Sequence, residues 1–324
     1  MRRDRTRSAW FALRQLLRLR LAVFVALSAL TGYVLAAGFK PHAAVPALAC
    51  LLLAAGASAL NQYQERDLDG RLARTAARPL PSGHMRPATA LVLAWVLIAT
   101  GGLLLVATGR PVAILLGAAA IGLYNGCYTP LKRVTAFAAV PGALIGCLGP
   151  AIGWAVAAGP VSGGASHAGL PGAAGVAGVA GVGGLAGVAP SPNPAALFAL
   201  MLILYLWQVP HFWVLQMRHQ EGYERAGLPT VLGRLGPLAG PRVVFTWAVA
   251  ALTAPLLLPL FGSLLSPWTY GVLLVAALVA GAACAGIVLC RPADARVLRR
   301  SFAGINLFVL ATLILIMVDR GLRP

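Results

Sequence analysis

Nine runs of about 20 residues, nearly free of charge and separated by Arg, Pro or Gly, leave this chain little choice of fold. They cover roughly 20–38, 43–62, 88–108, 111–128, 134–158, 195–216, 243–262, 269–290 and 301–319. Each is long enough to cross a hydrocarbon core about 30 Å thick as an α-helix, and a backbone in hydrocarbon must satisfy its own polar groups. Of all residues 59% are hydrophobic and only 10% charged, against about a quarter charged in soluble domains. A soluble enzyme, a disordered chain and a disulfide-built secreted scaffold are thereby excluded. The expectation is an all-α integral membrane protein with nine transmembrane helices in a single domain over 1–324, its first 19 residues a basic cytoplasmic segment.

In a soluble protein the formal charge of +18, from 26 Lys and Arg against 8 Asp and Glu, would point to nucleic acid. Its placement points elsewhere. Of the 26 basic residues only Lys40, Arg110, Arg320 and Arg323 fall in odd-numbered loops or after the last run. Cytoplasmic loops of membrane proteins carry such an excess, so the pattern predicts a cytoplasmic N-terminus, an external C-terminus, a place in the cell inner membrane and no nucleic-acid partner. Arg2, Arg3, Arg5 and Arg7 precede an apolar run too long, and too poor in small-residue cleavage signals, for a removed signal peptide. Cys50, Cys127, Cys147, Cys284 and Cys290 lie in or beside apolar runs without metal-ligand spacing and read as small buried hydrophobes. Residues 159–194, a loose Gly-Val-Ala repeat, lack charged and aromatic side chains. Glycine costs a helix about 1 kcal/mol per residue against alanine, so this segment is expected as an external Gly-rich loop insertion.

The carboxylates are too few to be scattered without meaning. Asp4, Asp294 and Asp319 stand alone near segment ends, whereas Glu65, Asp67 and Asp69 crowd the end of the second run and Glu221 and Glu224 follow the sixth. Like charges at a membrane face repel unless a cation neutralises them. If the second run continues as a helix, Asn61, Glu65 and Asp69 fall at i, i+4 and i+8 and turn an amide and two carboxylates toward one point. Oxygen ligands of this kind suit Mg2+, which binds through one or two carboxylates together with substrate phosphates. Arg66, Arg71, Arg74 and Arg78 follow at once, and a guanidinium forks onto phosphate oxygens. The arginines alone also satisfy topology; the acidic triplet serves no topological need.

A second constellation lies in LYLWQVPHFWVLQMRHQEGYERAGLP, residues 204–229. Pro210 is expected to interrupt the helix and free a carbonyl, at the depth where Trp207, Gln208, His211, Phe212 and Trp213 place polar and aromatic groups. Such a spot within a span lines a cavity; His211 by itself reads equally as a hydrogen-bonded core histidine.

NQYQERDLDGRLARTAARPLPSG (61–83) resembles the Asn-x-x-x-Asp-x-Asp-x-Asp signature of the UbiA superfamily of intramembrane prenyltransferases. Two further stretches are similar to its protohaem IX farnesyltransferase (haem O synthase) branch: YTPLKRVTAFAAVPGALIGCLGPAIGW (128–154) and the Trp-Gln-x-Pro-His-Phe block that opens WQVPHFWVLQMRHQEGYERAGLP (207–229). The resemblance implies transfer of a farnesyl group from farnesyl diphosphate to a vinyl group of haem b, with the active site facing the cytoplasm. By that resemblance Asn61, Glu65, Asp67, Asp69 and His211 are candidate catalytic residues, with Asn61, Glu65, Asp69 and Glu221 holding Mg2+. Arg74, Arg78, Tyr128, Lys132, Arg133, Trp207, Gln208 and Tyr223 are the candidate substrate contacts.

Four positions depart from the family: Glu65 replaces an aspartate, Gly222 an aspartate before Tyr223, Ala138 an asparagine, and Gly149 the first residue of a Pro-Pro pair. A working enzyme with a weakened second metal site, a paralogue with another acceptor and an inactive relative all stay open. Two rival functions stand beside the first. One keeps the fold with an aromatic or quinone precursor as acceptor; the other is a non-enzymatic membrane carrier of an ion or haem, though the repeat halves usual in carriers are not evident.

Overall fold

The computed structural model describes residues 2–158, 193–289 and 294–322, with side chains from residue 10 onward. Residues 159–192 of the Gly-rich segment and Cys290 lie outside the described residues. Among those described, nine helices are long and apolar enough to cross a membrane. They are Leu19–Ala37, Pro41–Gln64, Pro87–Ala107, Pro111–Val134, Ala136–Ala157, Pro194–Arg218, Val231–Phe261, Pro267–Leu289 and Ala295–Gly321, called here the first to ninth spans. The basic N-terminal segment is itself helical, Arg2–Leu17, and joins the first span at Arg18.

Several helices run past their apolar windows because helix ends are set by caps rather than by hydropathy. The ninth span starts at Ala295, where the Asp294 carboxylate accepts from the amides of Arg296 and Val297. The seventh begins at Val231, well before the expected 243, with the Thr230 hydroxyl accepting from the Gly233 amide. Its irregularity lies at Gly236, whose φ of 78° is open to glycine and which is followed by Pro237. The fourth continues to Val134 through a π-helical turn, Gly122–Tyr128, so that Lys132 and Arg133 ride on its last turns. The expected interruption at Pro210 does not occur: the sixth span runs unbroken from Pro194 to Arg218. A proline within a helix forfeits one backbone hydrogen bond, and the packed surroundings of this span keep the turns on either side helical.

The spans pack through small residues. A Cβ on Gly153 would stand 1.8 Å from the Ala29 carbonyl, and one on Gly32 would stand 2.1 Å from that of Pro150. The first and fifth spans therefore touch backbone to backbone, the close approach that small residues permit inside membranes. Gly149 has the same kind of cause, since a Cβ there would meet the Ser28 hydroxyl at 2.3 Å. Ala138 is buried at the start of the fifth span. Outward-facing side chains are large and apolar, including Leu103, Leu115, Val275 and Leu278. A surface so apolar is at rest only against lipid. Cys50, Cys147 and Cys284 are buried as expected, but Cys127 is exposed. It lies on the fourth span, which has only 22% of its apolar window covered by the rest of the chain.

Candidate active site

The second span stops at Gln64, and Glu65, with φ −109° and ψ 9°, turns the chain into the short helix Arg66–Arg71. The expected single helix is therefore broken, yet its spacing survives. Glu65 N donates to Asn61 O at 3.0 Å and Asp69 N to Glu65 O at 2.7 Å, so each i to i+4 step is kept. Asn61, Glu65 and Asp69 are consequently all buried, at 0%, 2% and 3% exposure. Asp67 leaves on the other side: it is exposed, 4.0 Å from Arg66.

Cations from two other segments pair with this buried acid pair. Lys132, from the end of the fourth span, donates to Glu65 Oε2, and Arg133 Nε stands 4.0 Å from Glu65 Oε1. Arg78, from the loop after the second span, donates to Asp69 Oδ2 at 2.6 Å. Burial and the charge of Arg18 push the Arg78 guanidinium below its ordinary value, with Asp69 pulling the other way. Arg18 itself donates to the Tyr124 hydroxyl at 3.2 Å. It has φ 45°, and it is the one non-glycine residue with positive φ among those described. A long side chain held in the left-handed region costs the chain on the order of 1–3 kcal/mol, and such strain gathers at functional sites.

The pairing is incomplete. The Asn61 amide nitrogen donates to Glu65 Oε2 at 3.1 Å and to the Thr129 hydroxyl at 2.9 Å, which fixes Asn61 Oδ1 on the other side. That oxygen and Glu65 Oε1 are buried without a hydrogen-bond partner. Buried polar atoms are nearly always satisfied, so two such acceptors in one site invite a cation. No group of three or more His, Cys, Asp or Glu side chains forms a metal cage among the described residues. An amide and two carboxylates do fit Mg2+, which keeps few protein ligands and completes its shell with water or substrate phosphate.

The π-helical turn of the fourth span is clamped to the second. The Asn125 side chain donates to Ala57 O and Gln64 Oε1, both at 3.1 Å, and Gln64 Nε2 donates to Asn125 O at 3.2 Å. This turn aims Tyr124 and Tyr128 inward, ring centroids 5.9 Å apart, and starts an aromatic wall. Tyr128 lies under Lys132 and meets Phe212 at 5.4 Å. Phe212 meets His211 at 5.3 Å, His211 meets Trp207 at 5.1 Å, and Trp207 ends the wall against Phe24 at 4.8 Å. The wall thus runs from the acid and its cations to the sixth span, apolar along its faces. Trp207 Nε1 and Gln208 Oε1 are buried without partners beside it. Trp213 is spoken for: its indole donates to Ala136 O at 3.1 Å and holds the fifth span's start in place.

Of the second acidic cluster, little reaches this centre. Glu221 is exposed and paired with Arg225 at 2.8 Å; Glu224 accepts from Gln220 at 2.7 Å and from Thr230 at 3.3 Å. Among the described residues Tyr223 links the two segments, its hydroxyl accepting from Arg74 at 3.4 Å. A Cβ at Gly222 would meet nothing within 4 Å. Arg18, Thr129, Tyr124, Asn125 and Asn306 escaped the sequence reading. Arg18 reads as one more topological arginine, and the others are single polar residues in apolar runs, a pattern that in a membrane marks function but does not reveal the partner.

Known proteins resemble this chain over most of its length. The model of the UbiA prenyltransferase family matches residues 25–311. The chain is 40% identical over 260 residues to the protohaem IX farnesyltransferase of Geobacter sulfurreducens, covering 78% of this chain and 83% of that protein. It is 34% identical over 306 residues to that of Oleidesulfovibrio alaskensis, covering 94% and 95%. Among solved structures it is similar to a UbiA homologue from Aeropyrum pernix, with a TM-score of 0.66 at 19% identity over 91% of this chain and 98% of that one. A UbiA homologue from Archaeoglobus fulgidus bound to GPP and Mg2+ gives a TM-score of 0.57 at 14% identity over 94% and 99%. A buried Asn-Glu-Asp set ringed by cations, the nine spans and these matches lead to one conclusion: the chain belongs to the UbiA prenyltransferase family.

Proposed function

We propose that this protein is a protohaem IX farnesyltransferase, joining the farnesyl group of farnesyl diphosphate to a vinyl group of haem b to give haem O and diphosphate. The observation that carries the reading is the pair of bare acceptors, Asn61 Oδ1 and Glu65 Oε1, among cations supplied by separate segments. The relatives' activity supports the donor and the acceptor.

Arg78, Lys132, Arg74 and Arg133 bind the diphosphate oxygens, giving up part of their present pairing to do so. Asn61, Glu65 and Asp69 would hold Mg2+, which when bound offsets diphosphate charge and eases its departure; Glu221 would join them only by leaving Arg225. As the bond between the farnesyl carbon and the diphosphate oxygen breaks, its electron pair leaves with the diphosphate. The π pair of the acceptor's vinyl group then attacks that carbon, and water adds to the resulting cation and loses a proton. Tyr128 and Phe212 screen the allylic carbon from bulk water until the acceptor is in place. Trp207, Gln208, His211 and Tyr223 belong to the acceptor side. We place the N-terminus and the site on the cytoplasmic side of the inner membrane, with residues 159–194 and the C-terminus outside, on the distribution of basic residues.

The test is reconstitution in detergent with farnesyl diphosphate, haem b and Mg2+. Diphosphate release coupled to a hydroxyethylfarnesyl haem, identified by mass, is expected. Release coupled only to an aromatic or quinone precursor would reassign the acceptor; haem or ion binding without diphosphate release would make the protein a carrier.

A further inference from the structure

The two products of prenyl transfer need different ways out. The prenylated product carries a farnesyl chain that dissolves in the bilayer, whereas free diphosphate bears several negative charges and is excluded from hydrocarbon. The aromatic wall from Tyr128 to Phe24 is apolar along its faces and suits only the first. A polar cleft lies elsewhere, between the end of the fourth span, the short helix Arg66–Arg71 and the segment that joins the sixth and seventh spans. It consists of two adjoining cavities of about 360 and 280 Å3, each with room for several waters.

Arg133, Gly227 and Leu228 line both cavities; Arg234 lines the larger and Arg71 the smaller. Arg133 is 46% exposed, with Nε 4.0 Å from Glu65 Oε1 and a terminal nitrogen donating to Gln64 O at 3.1 Å. One guanidinium therefore stands between the buried acid and the cleft. Arg71 and Arg234 are exposed, and neither side chain has an ion pair or a hydrogen bond among the described residues. The acids on the walls are engaged: Glu224 accepts from Gln220 and Thr230, and Asp67 lies 4.0 Å from Arg66. Gly227, at φ 72°, puts no side chain on the wall the cavities share. Topology accounts for arginines at this end of the bundle. It does not account for two of them, without partners, lining a cleft that leads to a third placed beside the reactive acid.

We propose that this cleft is the aqueous route of diphosphate, along which Arg133 takes the anion from the site and Arg71 and Arg234 draw it outward. The proposal rests on the farnesyl-transfer reading above and adds to it the path of the leaving product. Passage involves only an exchange of ionic contacts. As the anion moves to Arg133, Arg78 and Lys132 recover Asp69 and Glu65, the partners they hold in this structure, and the site is reset. Cations spaced along a cleft with low-dielectric walls focus the field and speed an anion's passage about 10–10³-fold without holding it tightly at any one point. Farnesyl diphosphate, with its chain in lipid, does not need this route.

The experiment follows binding and release of radiolabelled inorganic diphosphate by the purified full chain with Mg2+ in lipid-free neutral detergent, at an ionic strength of about 0.15 M, where charges beyond about 8 Å are screened. In the double variant Arg71→Gln with Arg234→Gln, association and dissociation should slow together by about tenfold, leaving Kd within about twofold, and lower salt should widen the difference in association rate. The rates for farnesyl diphosphate delivered in mixed micelles should not change. Glu224→Gln, which removes a negative charge from the wall, should speed association. Faster dissociation with Kd weakened alike for both ligands would make these arginines part of the bound site and overturn the proposal, as would unchanged rates, which would return them to topology. Added phosphatidylglycerol should leave the rates alone; slowing by that lipid, lost in the double variant, would reassign the cleft to a lipid headgroup. Native protein that binds no diphosphate with Mg2+ would remove the farnesyl-transfer reading itself, whereas binding with rates indifferent to Arg71 and Arg234 would remove only the route.

Discussion

Two buried carboxylate sites in this molecule look alike by exposure and differ in everything that follows. Asp319, near the end of the ninth span, is 1% exposed, and its oxygens accept from the amides of Leu265 and Ser266 at 3.2 and 2.8 Å and from the Thr269 hydroxyl at 2.9 Å. Those donors are neutral and come from the turn that leads into the eighth span, so the acid tethers one helix end to another. Glu65 and Asp69 are as deeply buried, but besides the Asn61 amide their partners are cations, Lys132 from the end of the fourth span and Arg78 from the loop after the second, and Glu65 Oε1 has no hydrogen bond. Amides and a hydroxyl hold the Asp319 carboxylate to that turn, whereas a carboxylate with a spare oxygen and cations beside it can exchange partners when an anion and a metal arrive. Burial of an acid inside a membrane protein therefore does not identify a site. A spare acceptor oxygen beside exchangeable cations does.

The comparison breaks most sharply at Asp69. Asp69→Ala should lower prenyl transfer on the order of 10²–10³-fold, the usual effect of removing one preorganised electrostatic group, while the protein stays monodisperse in detergent. Activity within about tenfold of the native protein, roughly 1.4 kcal/mol of barrier, would return this acid to the structural class. Asp319→Ala should do the opposite. It leaves the amides of Leu265 and Ser266 without an acceptor, so thermal unfolding should show a loss of about 2–3 kcal/mol with the Mg2+ dependence of transfer untouched. A change in that dependence would mean that the two ends of the bundle are coupled.

Smaller effects sharpen the boundary of the reactive site. Arg18→Gln, which keeps length and hydrogen bonding but removes charge, should raise KM for farnesyl diphosphate about tenfold with little change in stability. An unchanged KM would reduce Arg18 to a tie between the N-terminal helix and Tyr124. Least of all, Gly222→Asp, for which there is open space, should lower the Mg2+ concentration for half-maximal activity by about two- to threefold. Should neither Gly222→Asp nor Glu221→Ala move that concentration, all metal ligation belongs to the first cluster and Glu221 is the surface partner of Arg225.

Some expectations failed for identifiable reasons. Apolar windows underestimate helices such as Val231–Phe261, because a helix goes on as long as its backbone bonds and caps allow, into segments carrying Arg234 and Arg242. Pro210 looked like a break because local rules count the lost amide and not the neighbouring helices that keep the span helical on both sides of it. Cys127 looked buried because a residue in an apolar run can face either protein or lipid, and a bilayer tolerates a thiol on the outside as readily as the core does.

What the sequence determined by itself was whatever depends on near neighbours: nine crossings from uninterrupted hydropathy, and the Asn61-Glu65-Asp69 face from its four-residue spacing. These are properties of a helix and of its solvent, so they survive even the break at Glu65. The tertiary structure alone decided which cations face those acids, because Lys132 comes from 67 residues away and Arg18 owes its position to a left-handed backbone at a helix junction. It alone brought His211 Nδ1 within 2.7 Å of the Asn306 side-chain oxygen, 95 residues further on. Hydropathy sets how many helices cross the membrane. Which polar side chain meets which is set by packing between helices, and apolar runs that all look alike carry no record of it.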